Sequence, residues 1–198
     1  MKSIFKVKNL KIIYEILDKV QYGTLAICRD DKPYSLPLNF VRIDDNLYFH
    51  GSKKGRKMDI LKANLFASFS VVEPYSIISS YFSSKENLAC PATHFFKSVI
   101  IDGKIEFVEN YEEKVQALAF LMQKLQKEGK YKPLEDEVYK KMINVTTIYK
   151  LNMNETGAKF KFGQHLSQER FDMIIEHLQK RGDEKDINTV EMMQNFRN

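Results

Sequence analysis

The stretch that most directly suggests chemistry is a cationic cluster bracketed by glycines, within YFHGSKKGRKMDILKANLFASFSV (residues 48–71). Between residues 51 and 62, one acid, Asp59, stands against five cations, for a net charge of +4; the cations are Lys53, Lys54, Arg56, Lys57 and Lys62. Arginine offers a planar fork of donors that suits a phosphate, and lysine offers a mobile point charge. Gly51 and Gly55 permit unusual backbone conformations and let a ligand approach the main chain closely. The pattern indicates a phosphate site at a strand-to-helix junction, where helix N-terminal amides also favour anions.

Two interpretations of this cluster stay open on charge alone, a phosphate site and an ordinary solvated loop. The spacing excludes two familiar phosphate motifs, because neither GxxxxGK[ST] nor GxGxxG occurs in the chain. A single compact anion needs only a local cluster, whereas a polyanion surface usually spreads its cations along a face or groove.

Histidine and cysteine supply the other reactive side chains. His50 ends the strand before the cluster. Three roles stay open for it: a structural hydrogen-bonding residue, a residue beside a cofactor, or a catalytic proton donor. Cys28 alternates with apolar residues and is predicted to be a small core residue. Cys90 lies in the loop of NLACPATHFF. It is either an exposed thiol without a role or a thiol near the functional site. The cysteines do not have zinc-ligand spacing with His94 or His165, so we predict no metal site.

Hydrophobic periodicity predicts the elements that must position these residues. Helices are expected at 9–20, 110–129, 134–143 and 167–182, with a short one near the end. Strands are expected as three runs within 22–51 and at 66–73, 97–109 and 145–153. Asn110 and Ser167 have the sequence context of helix caps. Pro37 lies inside a strand and requires an edge, a bulge or a break in the hydrogen-bond ladder there.

Strands in hairpin-like order, without regular βαβ alternation, predict an α+β fold that is mainly β, with an antiparallel sheet or barrel and flanking helices. We assign residues 1–153 to this domain and 154–198 to a C-terminal linker and helical tail. The linker, ETGAKFKFGQHL, interleaves cations with aromatics and could form a wall of a substrate pocket that includes His165.

Composition limits the classes of function. The chain has 198 residues, 43% hydrophobic and 29% charged, as in an ordinary globular protein. No apolar run is long enough to span a membrane and no secretory signal is read, so we expect a cytoplasmic protein with reduced cysteines. Most of the net charge of +5 lies in the segment 51–62, which argues against a nucleic-acid partner.

Three stretches, in the right order, resemble the pyridoxamine 5′-phosphate oxidase-like flavoproteins, which are split β-barrels that bind FMN at a dimer interface. The phosphate-binding segment of that family is similar to LYFHGSKKGRKMDILKANLFASFSV. The first strands of its nitroimidazole-resistance branch resemble GTLAICRDDKPYSLPLNFVRIDDNLYFHG, and its later strand and helix resemble FFKSVIIDGKIEFVENYEEKVQALAFLMQKL. The resemblance covers residues 10–152 and implies an antiparallel split β-barrel, bound FMN and a homodimer.

The resemblance also implies a set of cofactor-binding residues. They are Pro37, Leu38, Asn39, Phe40, Tyr48, Phe49, His50, Ser52, Lys53, Arg56, Lys57, Lys97 and Ser98. The first four would run along the flavin ring, with Asn39 at its polar edge, and the next three would lie beside the ring or the ribityl chain. Arg56 and Lys57 would hold the FMN phosphate, with Ser52 and Lys53 nearby. The last two would reach the flavin from the other subunit.

The implied function is that of an FMN-dependent oxidoreductase, in which reduced flavin passes electrons to a small flat acceptor such as a nitroaromatic or a quinone. His50, as the candidate catalytic residue, or a nearby backbone amide would stabilise charge that develops on the acceptor. Pyridoxal phosphate synthesis is not expected, because the oxidases that perform it end in a motif with Trp and Arg, and this chain has no Trp.

Other functions stay open. The main alternative is a non-catalytic flavin- or haem-binding protein of the same fold. Haem would need an axial histidine, for which His94, His165 and His177 are available, and no spacing singles one out. A small nucleic-acid-binding protein is the third possibility, and only the pI of about 9.0 supports it.

Overall fold

The computed structural model describes residues 2–84, 86 and 88–197. The strands are β1 Lys6–Val7, β2 Tyr22–Arg29, β3 Lys32–Asn39, β4 Val41–Ile43, β5 Asn46–Gly51, β6 Phe66–Ile78, β7 Thr93–Val108, β8 Thr147–Asn152 and β9 Glu155–Lys161. The helices are α1 Leu10–Lys19, α2 Arg56–Ala63, α3 Tyr111–Leu125, α4 Lys140–Val145, α5 Gln168–Arg181 and α6 Glu184–Asn195. None of the helices in these described ranges is long and apolar enough to cross a membrane.

The strands follow the order β3-β2-β6-β7-β8-β5-β4, and β9 lies off this path. The pairings of β2 with β3 and β6, of β5 with β4 and β8, and of β7 with β8 are antiparallel. The predicted α+β class with an antiparallel sheet is therefore confirmed. Strand β3 lies at one end of the path, in unbroken register from Arg29↔Lys32 to Tyr22↔Asn39. Pro37 therefore occupies an edge strand, as its missing N–H requires.

The chain divides into two compact units. The barrel unit comprises residues 9–71 and 99–157, and the terminal unit comprises the described parts of 1–8, 72–98 and 158–198. Each unit is described separately below.

An aromatic cluster fills the centre of the barrel unit. Phe69 meets the rings of Phe40 and Phe49 edge to face, with centroids 5.0 Å apart in each pair. Phe49 stacks on Tyr149 at 5.3 Å. All four side chains are fully buried. Because Phe49 and Tyr149 are direct partners in the register of β5 with β8, the cluster joins the strand before the cationic loop to its neighbour.

Helix α3 contributes a half-buried lysine to the same unit. Asn110 caps this helix as predicted, since its Oδ1 accepts from the amide of Glu113 at 2.8 Å. Lys124 Nζ donates to the carbonyl of Leu17 at 2.8 Å and lies 3.8 Å from the ring centroid of Phe40. Burial, as the largest cause, lowers the pKa of Lys124 to about 8. The ammonium thus satisfies a carbonyl in the last turn of α1, which has no partner within that helix.

Several predicted boundaries were wrong. The region 22–51 forms four strands rather than three, because Phe40 turns into the aromatic cluster and interrupts the run between β3 and β4. Strands β6 and β7 are longer than predicted, and β7 begins at Thr93. The helix predicted over 134–143 is a short 3-10 turn followed by α4, since Asp136 caps the turn through the amide of Val138 at 3.0 Å.

The predicted linker in the tail was also wrong, because it contains β9. This strand pairs antiparallel with β1, with Lys6 opposite Lys159 and Val7 opposite Ala158. The alternation of lysine with phenylalanine has the period of two that marks a strand with one buried face. Phe160 and Phe162 are fully buried, so their aromatic rings belong to the core of the terminal unit.

Helices α5 and α6 complete the terminal unit. Ser167 caps α5, as predicted, by accepting from the amide of Arg170 at 3.4 Å. Asp186 of α6 is 1% exposed and accepts hydrogen bonds from Ser76 Oγ and from the guanidinium of Arg181. Thr189, which is also buried, bonds to Ser76. This network ties α6 to β6, and the Arg181 guanidinium, through its hydrogen bonds, holds the pKa of the Asp186 carboxyl below its usual range.

Candidate functional site

The cationic loop connects β5 to α2, as the sequence predicts. Gly55 precedes α2 with a φ of 104°, a backbone region that favours glycine. Its carbonyl accepts from the amides of Met58 and Asp59 at 2.8 and 3.1 Å, which closes the first turn. The loop therefore places Arg56 and Lys57 in the first turn of an eight-residue helix, whose free amides favour an anion.

Lys57 turns back over the end of β5. Its Nζ donates to the hydroxyl of Tyr149 at 2.8 Å and lies 4.8 Å from the centroid of that ring. A Cβ atom on Gly51 would lie 2.5 Å from this ammonium, so the absence of a side chain at residue 51 makes room for it. Burial lowers the pKa of Lys57, and no carboxylate in the described part of the chain pairs with it.

Thr147 brings an unsatisfied hydroxyl to the same place. It lies directly opposite Gly51 in the register of β5 with β8 and is 8% exposed. Its Oγ1 is buried and has no hydrogen-bond partner among the described residues. An unmade hydrogen bond of this kind costs about 1–3 kcal/mol. Directly opposite residues share a face of the sheet, so Thr147 lies on the same face as the Gly51 position that the Lys57 ammonium adjoins.

The other loop residues have different surroundings. Arg56 is exposed, and its guanidinium lies 4.3 Å from the ring centroid of Tyr34. Lys53 Nζ donates to the carbonyl of Asn144 at 3.2 Å. Ser52 Oγ accepts from the amide of Lys54 at 3.1 Å. Arg56 thus keeps its donors in solvent, while Lys53 already has a protein partner.

His50 and Tyr48 point to the face of β5 opposite Phe49, yet their roles differ. The His50 side chain is exposed, and partial burial followed by the positive charge of Lys57 lowers its pKa. The lowered pKa favours the neutral ring, which offers one donor and one acceptor. The Tyr48 hydroxyl donates to Glu113 Oε1 at 2.8 Å, and Lys150 Nζ donates to the same oxygen at 2.9 Å. Burial, then this carboxylate, raises the pKa of Tyr48.

Strand β3 presents the residues expected along a flavin ring. Pro37 and Asn39 are exposed, Leu38 is half-buried and Phe40, just beyond the strand, is fully buried. Asn39 Nδ2 donates to the carbonyl of Gln21 at 3.1 Å. Contact of these residues, and of buried Tyr48 and Phe49, with a flavin remains a prediction.

Lys97 and Ser98 belong to the terminal unit. The Lys97 ammonium lies 3.9 Å from a carboxylate oxygen of Glu73 and 5.1 Å from the ring centroid of Tyr75. Ser98 Oγ donates to the carbonyl of Lys159 at 3.4 Å. Their approach to a flavin is likewise still a prediction.

The histidines considered for haem differ in their surroundings. A ring nitrogen of His94 lies 2.9 Å from the carbonyl of Tyr75, and His177 stacks on Phe82 with centroids 4.6 Å apart. His165 lines a cavity in the terminal unit. Within residues 2–84, 86 and 88–197, no three histidine, cysteine or acidic side chains are grouped closely enough to hold a metal ion.

Residues 10–159 match the family model described as pyridoxamine 5′-phosphate oxidase. The chain belongs to this family. The match spans most of the chain and confirms the resemblance carried by the strand and loop motifs. It ends inside β9, so α5 and α6 lie beyond it.

Individual relatives and solved structures are similar to this chain at low sequence identity. The protease synthase and sporulation protein PAI 2 of Bacillus subtilis (strain 168) is 24% identical over 201 residues, covering 96% of this chain and 94% of its own. A candidate 5-nitroimidazole antibiotic resistance protein from Bacteroides thetaiotaomicron superposes with a TM-score of 0.64 at 21% identity, covering 78% of this chain and 85% of that one. An FAD and haem binding protein from Mycobacterium smegmatis superposes with a TM-score of 0.64 at 20% identity, covering 79% of this chain and 73% of that one. These similarities establish a split β-barrel fold.

Sequence reasoning missed Thr147 and Tyr149. Both lie in a β-branched, alternating run that predicts only a strand. Their position beside the loop depends on the pairing of β8 with β5 across about a hundred residues of chain. A threonine inside a predicted strand gives no sign that its hydroxyl is buried.

We predict that the Lys57 charge lowers the stability of the folded protein. In a Tyr149→Phe background, which removes the hydroxyl partner, adding Lys57→Met should raise the free energy of unfolding, because a half-buried charge without a carboxylate is removed. The folded pKa lies below the ordinary 10.5, so the unfolded chain binds more protons between the two values. The gain should therefore be largest at neutral pH and shrink as the pH rises towards 10.5.

Urea unfolding of the two variants at several pH values measures this difference. Lys62→Met in the same background is the control, since Lys62 is exposed on the same helix. A loss of stability on adding Lys57→Met, or a gain that does not change with pH, would contradict the prediction.

Proposed function

We propose that this protein is a flavoprotein that binds FMN through the loop between β5 and α2. The observation that carries the proposal is a half-buried cation and a buried hydroxyl on one face of the sheet. Among the described residues, Lys57 has a phenol but no carboxylate as its partner, and the Thr147 hydroxyl has no partner. A phosphate supplies negative charge and acceptor oxygens, so it complements both groups.

The residues of the loop fit a terminal phosphate. Arg56 provides an exposed guanidinium with a fork of donors. Lys57 provides a half-buried ammonium, and Thr147 provides a hydroxyl donor. The first amides of α2 add partial positive charge. One compact cluster suits the single phosphate of FMN, and we propose FMN rather than FAD for that reason. FAD is the competitor to test, since a protein of similar fold is described as binding FAD and haem.

We further propose that the protein is a cytoplasmic oxidoreductase acting on a small flat acceptor, a nitroaromatic or a quinone. A bound flavin supplies one- or two-electron transfer. The chain's own residues provide position and electrostatics. The edge strand β3 offers Asn39 and main-chain groups, and neutral His50 offers a hydrogen bond to charge that develops on the acceptor. With no Trp in the chain, pyridoxal phosphate synthesis is not part of this proposal.

If Arg56 and Lys57 bind the FMN phosphate, replacing both should selectively weaken the binding of FMN. Arg56→Ala with Lys57→Ala removes two charge-assisted contacts, each worth roughly 1.5–3 kcal/mol. If they add, the loss is about 3–6 kcal/mol, or about two to four orders of magnitude in Kd at about 1.4 kcal/mol per decade. Riboflavin, which lacks the phosphate, should bind the variant and the wild type equally weakly. Flavin fluorescence titration measures both affinities.

Lys132→Ala with Lys141→Ala is the matched control, because both residues are exposed and lie outside the loop. General attraction to a basic protein would respond to either pair and weaken with salt. Wild-type FMN affinity in the Arg56, Lys57 variant would refute the assignment, and parallel titrations with FAD decide between the two flavins.

We also propose a homodimer with FMN at the subunit interface, as the family resemblance implies. A flavin ring is large and largely apolar, so covering both of its faces needs more surface than one small barrel offers. Sedimentation of the FMN-loaded protein should show a dimer at micromolar concentration. A holo-protein that sediments as a monomer would rule this arrangement out.

The oxidoreductase activity has its own test. The purified protein loaded with FMN should oxidise a reduced nicotinamide in the presence of a nitroaromatic or a quinone, and the double Arg56, Lys57 variant should lose this turnover unless FMN is present in large excess. If the protein shows a flavin spectrum but no turnover with any electron donor, a non-catalytic flavin carrier is favoured. A Soret band would favour the haem-binding alternative.

A further inference from the structure

The terminal unit contains two adjoining cavities with Ser83, Cys90, Pro91 and Arg170 in both of their walls. The inner cavity has a volume of about 200 Å³ and the outer one about 560 Å³. The inner wall combines apolar side chains with polar groups, and the polar groups include Thr93, Lys161, His165 and Arg170. The described residues that line the inner cavity include no carboxylate.

A short segment of chain brings the three basic side chains together. Lys161 ends β9, and the following turn has Gly163 at a φ of 80°. The carbonyl of Gly163 accepts from the amide of Leu166 at 2.9 Å. The capped start of α5 then supplies Arg170. Strand end, tight turn and helix start therefore direct Lys161, His165 and Arg170 to one cavity.

Each basic group is held in place by neutral partners. Lys161 Nζ donates to Thr93 Oγ1. Arg170 donates through Nε to the Ser83 carbonyl at 3.1 Å and through Nη2 to Ser83 Oγ at 3.3 Å. Neither Lys161 nor Arg170 has a carboxylate partner among the described residues. Arg170 uses two of its five N–H donors in these bonds, so donors remain for a ligand.

The cavity also repels further positive charge. The His165 ring packs edge to face on Phe5, with centroids 5.4 Å apart. Burial, followed by the charges of Lys161, Lys2 and Arg170, lowers the pKa of His165. Lys159 acts on Lys161 in the same sense, after burial, and lowers its pKa. Among the described residues, Glu86 and Glu169 line the outer cavity, and the inner cavity has basic but no acidic side chains. A cluster of cations around a concave site attracts an anion.

We propose that the inner cavity binds the oxyanion head, a carboxylate or a phosphate, of a small organic molecule. Its volume lies below the roughly 300–1,000 Å³ that is typical of sites for whole drug-sized ligands, so it suits a headgroup, and the outer cavity receives the remainder. Arg170 supplies the fork, Lys161 the point charge, and the Thr93 and Ser83 hydroxyls complete the lining. All three basic residues lie beyond the stretch matched by the family model, whereas Ser83, Cys90 and Thr93 of the same cavity lie within it.

Cys90 provides a reporter, because it is exposed and lines both cavities. The measurement is the rate at which iodoacetamide, a neutral reagent, modifies Cys90, followed by peptide mass spectrometry to separate it from Cys28. Inorganic phosphate and acetate are the probes, with chloride at matched ionic strength. Phosphate or acetate should slow the reaction, and the slowing should saturate as the anion fills the inner cavity, because Cys90 lines that cavity.

Variants test which residues the protection of Cys90 by anions depends on. Lys161→Gln and Arg170→Lys should each weaken the protection, and Lys180→Gln, an exposed charge further along α5, should leave it unchanged. The Arg56→Ala, Lys57→Ala protein should also keep it, which separates this site from the proposed FMN site. Protection by phosphate alone identifies a phosphate head, and protection by acetate identifies a carboxylate head.

The proposal is overturned if neither anion protects Cys90 beyond chloride, or if the Lys161→Gln protein is protected as well as the wild type. Circular dichroism of each variant confirms that it is folded. If Arg170→Lys is unfolded, the comparison of Lys161→Gln with Lys180→Gln decides the question.

Discussion

The pairing of β5 with β8 is the constraint on which the candidate site depends. Its register runs from Asn46↔Asn152 to Gly51↔Thr147. Because the side-chain period of a strand is two, this register stacks Phe49 on Tyr149 and places Gly51 opposite Thr147. A slip by one residue would turn Tyr149 to the other face and separate it from Lys57. The aromatic cluster, which is fully buried, makes such a slip costly, since it would expose large rings to water.

A second set of contacts supports the same strand from its other face. The Tyr48 hydroxyl and the Lys150 ammonium both donate to Glu113, at 2.8 and 2.9 Å. They join β5, β8 and α3 through one carboxylate, and these hydrogen bonds, that of Lys150 first, hold the pKa of Glu113 below its usual range. The end of β5 is therefore held on both faces before the chain enters the cationic loop. A loop on so rigid a base can present its cations with little loss of conformational freedom when a ligand binds.

Each unit holds cations whose partners are neutral groups. Lys57 donates to a phenol, Lys161 to a hydroxyl, and Arg170 to a carbonyl and a hydroxyl. Such arrangements lower stability, because partly buried charge is not matched by opposite charge. Arg181 shows the contrasting case, since its guanidinium pairs with the buried carboxylate of Asp186 and joins α5 to α6. The difference separates cations that serve the fold from those that are available to a ligand.

Much of this protein could be predicted from its sequence, because the relevant signals are local. The helix caps at Asn110 and Ser167 and the strand-to-helix junction at Gly55 all depend on neighbouring residues. Tertiary structure alone decided that Lys57 meets Tyr149 beside an unsatisfied Thr147, since those residues are distant in the chain and a strand pattern carries no information on its partner. It likewise decided that the lysines and phenylalanines of the tail form β9, whose partner β1 lies at the opposite end of the sequence. Long-range pairing determines which faces are buried, and burial determines which polar groups lack a partner.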